Sequence, residues 1–212
     1  MIRVKKLGLT PYNDAFMAMQ SFTKNRSIDC PDELWSVQHP SVFTQGLAGK
    51  SEHVLVKNDI PIIQSDRGGQ ITYHGPGQLV IYPLLNLKRH NLNIRDLVCL
   101  IEKSIINVLK TLNISAYQKD EAPGVYVKNA KIASLGLRIK RGFSYHGLAL
   151  NIQMDLTPFK QINPCGLHSQ AITQTSALSN ASFKEIEHLL LTELLLGLGH
   201  NMETVNTLLL ND

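Results

Sequence analysis

The sequence lacks the features that mark several common protein classes. Cysteine is scarce: Cys30, Cys99 and Cys165 are the three in 212 residues, with no CxxC pair and no Cys/His ligand spacing. Neither a disulfide framework nor a structural zinc site is therefore suggested. Runs of one charge are also missing. Basic residues exceed acidic ones by 21 to 17, and they cluster only in short pairs such as Lys5-Lys6, Lys88-Arg89 and Lys140-Arg141. That is no nucleic-acid-binding stripe, although a mild basic excess can still attract an acidic protein. No apolar run reaches the length of a bilayer span, and the Leu-rich stretch near the C-terminus is broken by Thr192 and Glu193. The opening residues, Met1 to Lys6, lack the apolar core of a secretory signal. The expectation is a soluble, cytoplasmic protein of a reducing compartment, with no metal, nucleic-acid or membrane partner.

What is present describes an ordinary globular chain. Hydrophobic residues make up 43% and charged residues 18%, and the length suits one large domain or a closely fused pair with a substantial core, a single domain spanning 1–212 being expected. Internal repeats and linkers are absent.

The most concentrated stretch runs from Asp66 to Gln78, DRGGQITYHGPGQ, with four glycines, an arginine and a histidine between apolar segments. Glycines lacking Cβ allow sharp turns and close approach of a ligand to the main chain. The pattern reads as a loop, a short strand Ile71–Tyr73, a Gly-Pro-Gly turn and a buried strand Leu79–Tyr82 ended by Pro83. An ordinary Gly-rich hairpin with no ligand fits the same residues.

Around this stretch, Thr10 reads as an N-cap with Pro11 at the first helical position. Tyr12, Ala15, Phe16, Met19 and Phe22 then form one face of a helix over 11–24, a core stripe. Leu34–Val37 reads as a strand ended near Pro40, residues 42–58 as a loop, and Ile60–Gln64 as a strand. Asn93 opens the clearest helix, with Asp96 at its third position and an apolar face reaching Leu112. Cys99 falls in it as a small packing residue. Residues 115–152 are strand-rich (115–118, 124–127, 131–139, 143–152), with a turn at Lys140-Arg141-Gly142. Alternation in the last strand sets His146, Leu148, Leu150 and Ile152 on one face. Residues 162–167 read as a loop, and Ser182–Glu185 caps a Leu-rich helix to Gly197. Strands outnumber helices and hairpins mix with a crossover helix, so the expected class is α+β with a mixed sheet.

Two residues stand out chemically. Cys165, between Pro164 and Gly166 in a loop, is a candidate nucleophile or an incidental thiol; a free thiol needs a cationic neighbour to become thiolate at neutral pH. Lys131 opens an otherwise apolar strand, either in solvent or in a cleft that favours its neutral form. His74 and His146 each precede a glycine, where a ring can face a cleft or simply be hydrogen-bonded structure. Arg67 can bind an anion, brace the glycine loop, or simply lie at the surface.

Taken together, RGGQITYHGPGQLVIYPLLNL, GVYVKNAKIASLGLRI and YHGLALNIQMDLTPFKQINPCGL, with Ala171-Ile172-Thr173, resemble the lipoyl(octanoyl) transferase family. The upstream Leu34-Trp35, His39-Pro40 and Thr44-Gln45-Gly46 fit it as well, so the likeness runs from about residue 30 to 180 in matching order. A departure from the family pattern follows, where Ile172-Thr173 leads into Gln174-Thr175-Ser176-Ala177-Leu178 in place of an early Thr-Ser-Leu.

The resemblance implies a lipoate/biotin protein ligase-like fold. It implies octanoyl transfer from acyl carrier protein to a lysine of lipoyl domains, in 2-oxoacid dehydrogenase complexes and the glycine cleavage H protein, with no cofactor. Carried over by motif, Cys165 becomes the acyl-accepting nucleophile and Lys131 its activating partner, serving both halves of the reaction in turn. The substrate pocket falls to Arg67, Gly68, Gly69, Gln70, Ile71, Thr72, Tyr73 and His74, with Ser134-Leu135-Gly136 and Gly147-Leu148-Ala149. The rival readings are an ATP-dependent lipoate or biotin ligase of the same fold, which needs no protein thiol, and a non-catalytic protein that binds acyl carriers or lipoyl domains.

Overall fold

Short runs of β-branched and aromatic residues cannot be buried singly, and this chain pairs them into two sheets. The computed structural model describes residues 2–56, 59–119, 122–163 and 170–210. In chain order its elements begin with β1 (Ile2–Leu9), α1 (Tyr12–Asn25), β2 (Asp32–Gln38), β3 (Val42–Gln45), β4 (Ile62–Gln64), β5 (Ile71–His74) and β6 (Gln78–Leu84). They continue with α2 (Ile94–Thr111), β7 (Tyr117–Gln118), β8 (Gly124–Val127), β9 (Ala130–Lys140), β10 (Phe143–Asn151), α3 (Phe183–Gly197) and α4 (Met202–Leu210).

Seven strands form the main sheet in the order β1-β2-β6-β10-β9-β8-β7, and β4-β3-β5 form a smaller one. Strand β1 runs parallel to β2 because α1 crosses over between them, whereas the other pairs of the main sheet are antiparallel. The expected mixed-sheet α+β class is what forms. On one face of the main sheet, Leu34, Ile81 and Leu148 pack with Ile101 and Ile105 of α2 and Leu190 of α3. On the other, Trp35, Val80 and Tyr82 meet Ala15 and Met19 of α1. The small sheet closes its own core with Phe43, Ile71, Tyr73 and Phe159.

Helix α2 follows its sequence signals closely. The Asn93 side chain accepts from the N–H groups of Arg95 and Asp96, and Asp96 accepts in return from the Asn93 N–H. Cys99 on this helix is half-buried. Ser182 caps α3 by accepting from the Glu185 N–H at 3.2 Å. At the β9–β10 hairpin, Arg141 and Gly142 both take positive φ, 52° and 80°, a two-residue turn that matches the strand twist.

Other local expectations need correction. Thr10 does not cap α1: its hydroxyl donates to the Leu7 carbonyl at 2.8 Å, and Pro11 holds the cap position. Residues 42–45 are strand β3, not loop, because their partners are distant in sequence: Phe43 pairs with both Ile62 and Tyr73. Pro83 does not end β6 but lies inside it. The ring sits on the β10 side, where Pro83 Cδ and the Ile81 carbonyl would lie 2.6 and 2.1 Å from a Cβ on residue 147, so only glycine fits there. His146 takes φ 56°, which breaks the alternation of β10. Its ring turns to Phe16 and Tyr82 beside α1, away from the face of Leu148 and Leu150. Strand β1 and helix α4 were not expected.

Far from the glycine loop, Asp32 is fully buried and accepts from Arg26 (2.6 Å), Arg89 (2.8 Å), His90 (2.9 Å) and the Asn86 N–H (2.7 Å). Burial alone would raise its pKa, but these donors outweigh burial and hold the carboxyl below its ordinary value. Removing the carboxylate strands the fully buried Arg26 side chain. Asp32→Ala is expected to destabilise the fold by about 3–5 kcal/mol, measured by denaturant unfolding.

Candidate active site

Loop residues 65–70 connect β4 to β5, and a buried arginine holds them in place. Arg67 donates from Nε (3.1 Å) and Nη2 (2.9 Å) to Thr44 Oγ1, from Nη2 to the Thr44 carbonyl (2.5 Å), and from Nη1 to the Gly68 carbonyl (2.9 Å). A guanidinium has no acceptor atom, so this contact fixes the direction of every hydrogen bond that follows. Thr44 Oγ1 must donate onward to His74 Nε2 at 3.2 Å. His74 Nδ1–H then donates to Gln78 Oε1 (2.7 Å), and the Gln78 amide donates to Asn151 Oδ1 (2.9 Å) and the Tyr73 carbonyl (3.2 Å). Asn151 donates to the Thr173 carbonyl at 3.0 Å, and the Thr173 N–H donates to the carbonyl of Lys131 at 3.0 Å. One polar chain thus joins the glycine loop to the backbone of the strand lysine.

These elements enclose a cavity of about 530 Å³. Arg67, Gly68, Gly69, Gln70, Ile71, Thr72 and His74 line it, together with Lys131, Ser134-Leu135-Gly136 and Gly147-Leu148-Ala149. The segments picked out by sequence therefore meet in one place. Tyr73 is the exception: it points into the small-sheet core against Phe43 and Phe159, with its hydroxyl on Ser41. Alternation along β5 sends its side chain to the face opposite Thr72. Val80, Ile94, Val98, Leu137 and Ile172 supply apolar wall.

Lys131 is buried, 8% exposed, and not a strand-end lysine in solvent. Its ammonium lies 5.5 Å from the Tyr126 ring centroid. Its N–H donates to the Ala171 carbonyl at 2.8 Å, so Lys131 bridges the segment around Ile172. Pro164, Cys165 and Gly166 lie outside the described residues. Among the described residues no three His, Cys, Asp or Glu side chains form a metal-ligand group.

Several site residues escaped the sequence. Thr44 was hidden by the loop reading of 42–58. Gln78 and Asn151 carried a usable signal, a polar residue at the end of a strand beside an apolar run. Tyr12 and Tyr82 read as core, yet both line the cavity. The Tyr82 hydroxyl donates to His39 Nε2 (2.7 Å), whose Nδ1–H donates to the Thr10 carbonyl (2.7 Å). Asp66 accepts from His146 Nε2 (2.7 Å), Tyr145 (2.5 Å) and Gln20 (3.2 Å). No sequence pattern linked these partners.

Burial sets the charge state of the site. It pushes His39 down to about 4 and His74 down to about 3, the latter helped by His39 and Arg67 nearby. Burial lowers His146 too, against the pull of Asp66. It raises Tyr12 and Tyr82, so neither neutralises Arg67. Burial opposes ionisation of Asp66, but donors from His146 and Tyr145 outweigh it and bring the carboxyl to about 2.

These histidines fold in their neutral form, whereas the unfolded chain protonates them near 6.5. Below 6.5 the unfolded state binds more protons, so stability falls as pH drops from about 6.5 towards 4. Thermal unfolding across that range is expected to show the fall. His39→Gln should flatten its slope, whatever its effect at pH 7.

Comparison with known proteins agrees with this architecture. Residues 11–195 match the family described as the lipoyl protein ligase A/B catalytic domain. An octanoyltransferase from Marinobacter nauticus is 55% identical over 199 residues, covering 93% of this chain and 94% of that one. One from Aeromonas salmonicida is 54% identical over 207 residues, covering 95% and 92%. Among solved structures, a putative lipoate protein ligase from T. acidophilum superposes with TM-score 0.75 at 16% identity, covering 99% of this chain and 92% of that one. The biotin protein ligase of Aquifex aeolicus gives 0.53 at 13%, covering 93% and 68%. The fold is that of lipoate and biotin protein ligases, and the chain belongs to the lipoyl(octanoyl) transferase family of acyltransferases.

Proposed function

We propose that this protein takes an octanoyl group from the thioester of acyl carrier protein, holds it on Cys165, and passes it to a lysine of lipoyl domains. The acceptors are those of 2-oxoacid dehydrogenase complexes and the glycine cleavage H protein. The observation that carries this reading is Lys131, a buried lysine at a cavity with apolar wall. Its backbone is hydrogen-bonded to Ala171, six residues after Cys165 in the chain. The two ends of the intervening segment are tied down, since the Asn163 N–H donates to the His53 carbonyl at 2.8 Å.

A thiol alone is mostly protonated at neutral pH, and an ammonium beside it favours the thiolate. The Cys165 thiolate attacks the thioester carbon, the carrier thiol leaves with the proton of Lys131, and the acyl group remains as a protein thioester. The incoming amine then attacks that thioester. Thioester to amide runs downhill, so no nucleotide is required. The relatives named octanoyltransferases support the acyl group, and the Leu and Ile side chains of the cavity suit a medium-length chain.

Intact mass after mixing with octanoyl-acyl carrier protein, without ATP, is expected to show one octanoyl group that peptide mapping puts on Cys165. Cys165→Ala should carry none, and Lys131→Ala should load at least about 10²-fold more slowly. ATP-dependent product formation from free octanoate that survives Cys165→Ala would instead make the protein a ligase. Binding of the carrier with no turnover under either condition would make it a binding protein.

Each methylene buried is worth about 0.8 kcal/mol. Neighbouring acyl lengths should therefore differ by only about fourfold in kcat/KM, measured by competition between carrier-bound chains. An all-or-none preference would require a rigid end wall.

A further inference from the structure

The proposed reaction leaves one proton without a destination. A lysine acceptor reaches the cavity as an ammonium, with an ordinary pKa near 10.4, and gives up two protons in becoming an amide. Lys131, left neutral when the carrier thiol departs, takes one and so regenerates its pairing with the thiolate. The other needs a second acceptor at the cavity.

We propose that His146, oriented by Asp66, is that acceptor and so is a second catalytic residue of the transfer step; this rests on the octanoyl-transfer reading above. His146 lines the cavity and is 1% exposed. Its Nε2–H is committed to Asp66 Oδ1 at 2.7 Å. Its Nδ1 is buried, with no hydrogen-bond partner among the described residues. In the neutral ring that nitrogen is a bare lone pair. A carboxylate on one ring nitrogen and an unpartnered lone pair on the other is the arrangement that stabilises an imidazolium once it forms. The backbone is held at φ 56° within a strand, a conformation that a histidine adopts at a cost and that clusters at functional sites. An acceptor needed only for a passive hydrogen bond would not require an ionised partner braced by Tyr145 and Gln20.

The charged and titratable groups facing the ring come from every neighbouring element. Asp66 and Arg67 belong to the glycine loop, Arg138 to β9, His74 to β5, Tyr82 to β6 and Tyr145 to β10 itself. Helix α1 offers the Phe16 ring, and Gln20 through Asp66. Burial, helped by Arg67 and opposed by Asp66, keeps the resting ring neutral, hence able to accept. In the step, one ammonium proton passes to His146 Nδ1. The amine nitrogen bonds to the thioester carbon, and the C–S bond breaks to give the Cys165 thiolate. The second proton goes to neutral Lys131. The imidazolium later releases its proton to water.

The test separates the two half-reactions in single turnover: loading from octanoyl-acyl carrier protein, then transfer from isolated acyl-enzyme to a lipoyl domain. Asparagine tolerates positive φ, so His146→Asn keeps the backbone and removes the base. Loading is expected to stay within about threefold, while transfer falls about 10²-fold at pH 7. That gap should narrow as pH rises to 9, because the free amine grows about tenfold per pH unit. Loss of both half-reactions by one factor, an unchanged transfer rate, or a gap independent of pH would each overturn the proposal. Should His146→Asn fail to fold, His146→Gly serves in its place, with transfer expected to recover on adding imidazole; no recovery counts against the proposal. A wild-type protein that never acquires an octanoyl group would refute the transferase reading itself, a result visible before any variant is made.

Discussion

The contact of Arg67 with Thr44 orders the polar interior of this protein. A guanidinium offers donors only, so a buried one dictates which atoms beyond it accept and which donate. Thr44 has a single hydroxyl proton, and with Arg67 on its oxygen that proton has one place to go, His74 Nε2. The tautomer of His74, the orientation of the Gln78 amide and that of Asn151 then follow without freedom. Reversing any member would leave two donors or two acceptors face to face in a buried setting, where an unmade hydrogen bond is expensive. The chain ends on the main chain of Lys131. Small sheet, glycine loop and main sheet are therefore registered to one another by polar contacts as well as by apolar packing.

The same arginine shapes the electrostatics. No carboxylate among its described hydrogen-bond partners neutralises it: Thr44 and the Gly68 carbonyl are neutral acceptors. Positive charge in a poorly solvated place disfavours further cations nearby, and His74 and His146 both feel it. Asp66 is the counterweight. It stays ionised because three donors hold it, and one of them is Nε2 of the His146 ring. A cavity of this kind keeps imidazoles uncharged at rest yet leaves one of them beside a fixed anion, a combination that desolvation alone would not give.

What could be read from the sequence was local or periodic. Helix α2 was legible because its cap, its acidic third residue and its apolar stripe all lie within one continuous segment. The β9–β10 hairpin was legible because its turn residues name the turn. Strand β3 was not, since four residues carry no periodicity and its partners Ile62 and Tyr73 are distant in sequence. Pro83 misled for a related reason: proline ends a strand only where its missing N–H matters, and here the ladder with β10 lapses at that point. The cavity segments were found through family motifs, while the residues that position them (Thr44, Gln78, Asn151, Asp66) were missed. Those residues act through partners remote in the chain, so no window of sequence contains the interaction.

That division bears on how one fold serves two chemistries. Lipoate and biotin ligases share this architecture at identities of 13–16%, so the fold alone does not choose between activating an acid with a nucleotide and moving an acyl group between carriers. A cavity that holds an acyl chain and admits an amine suits either chemistry. What separates them is how the acyl group is activated and where the protons go. A ligase discharges an adenylate whose leaving phosphate accepts charge readily, whereas a thioester transfer expels a thiolate that must find a cation. On the proposed mechanism the buried Lys131 supplies that cation, and the carboxylate-braced imidazole of His146 takes the proton that the lysine does not. On that proposal the acyltransferase character lies in the arrangement of proton acceptors around the cavity more than in the fold.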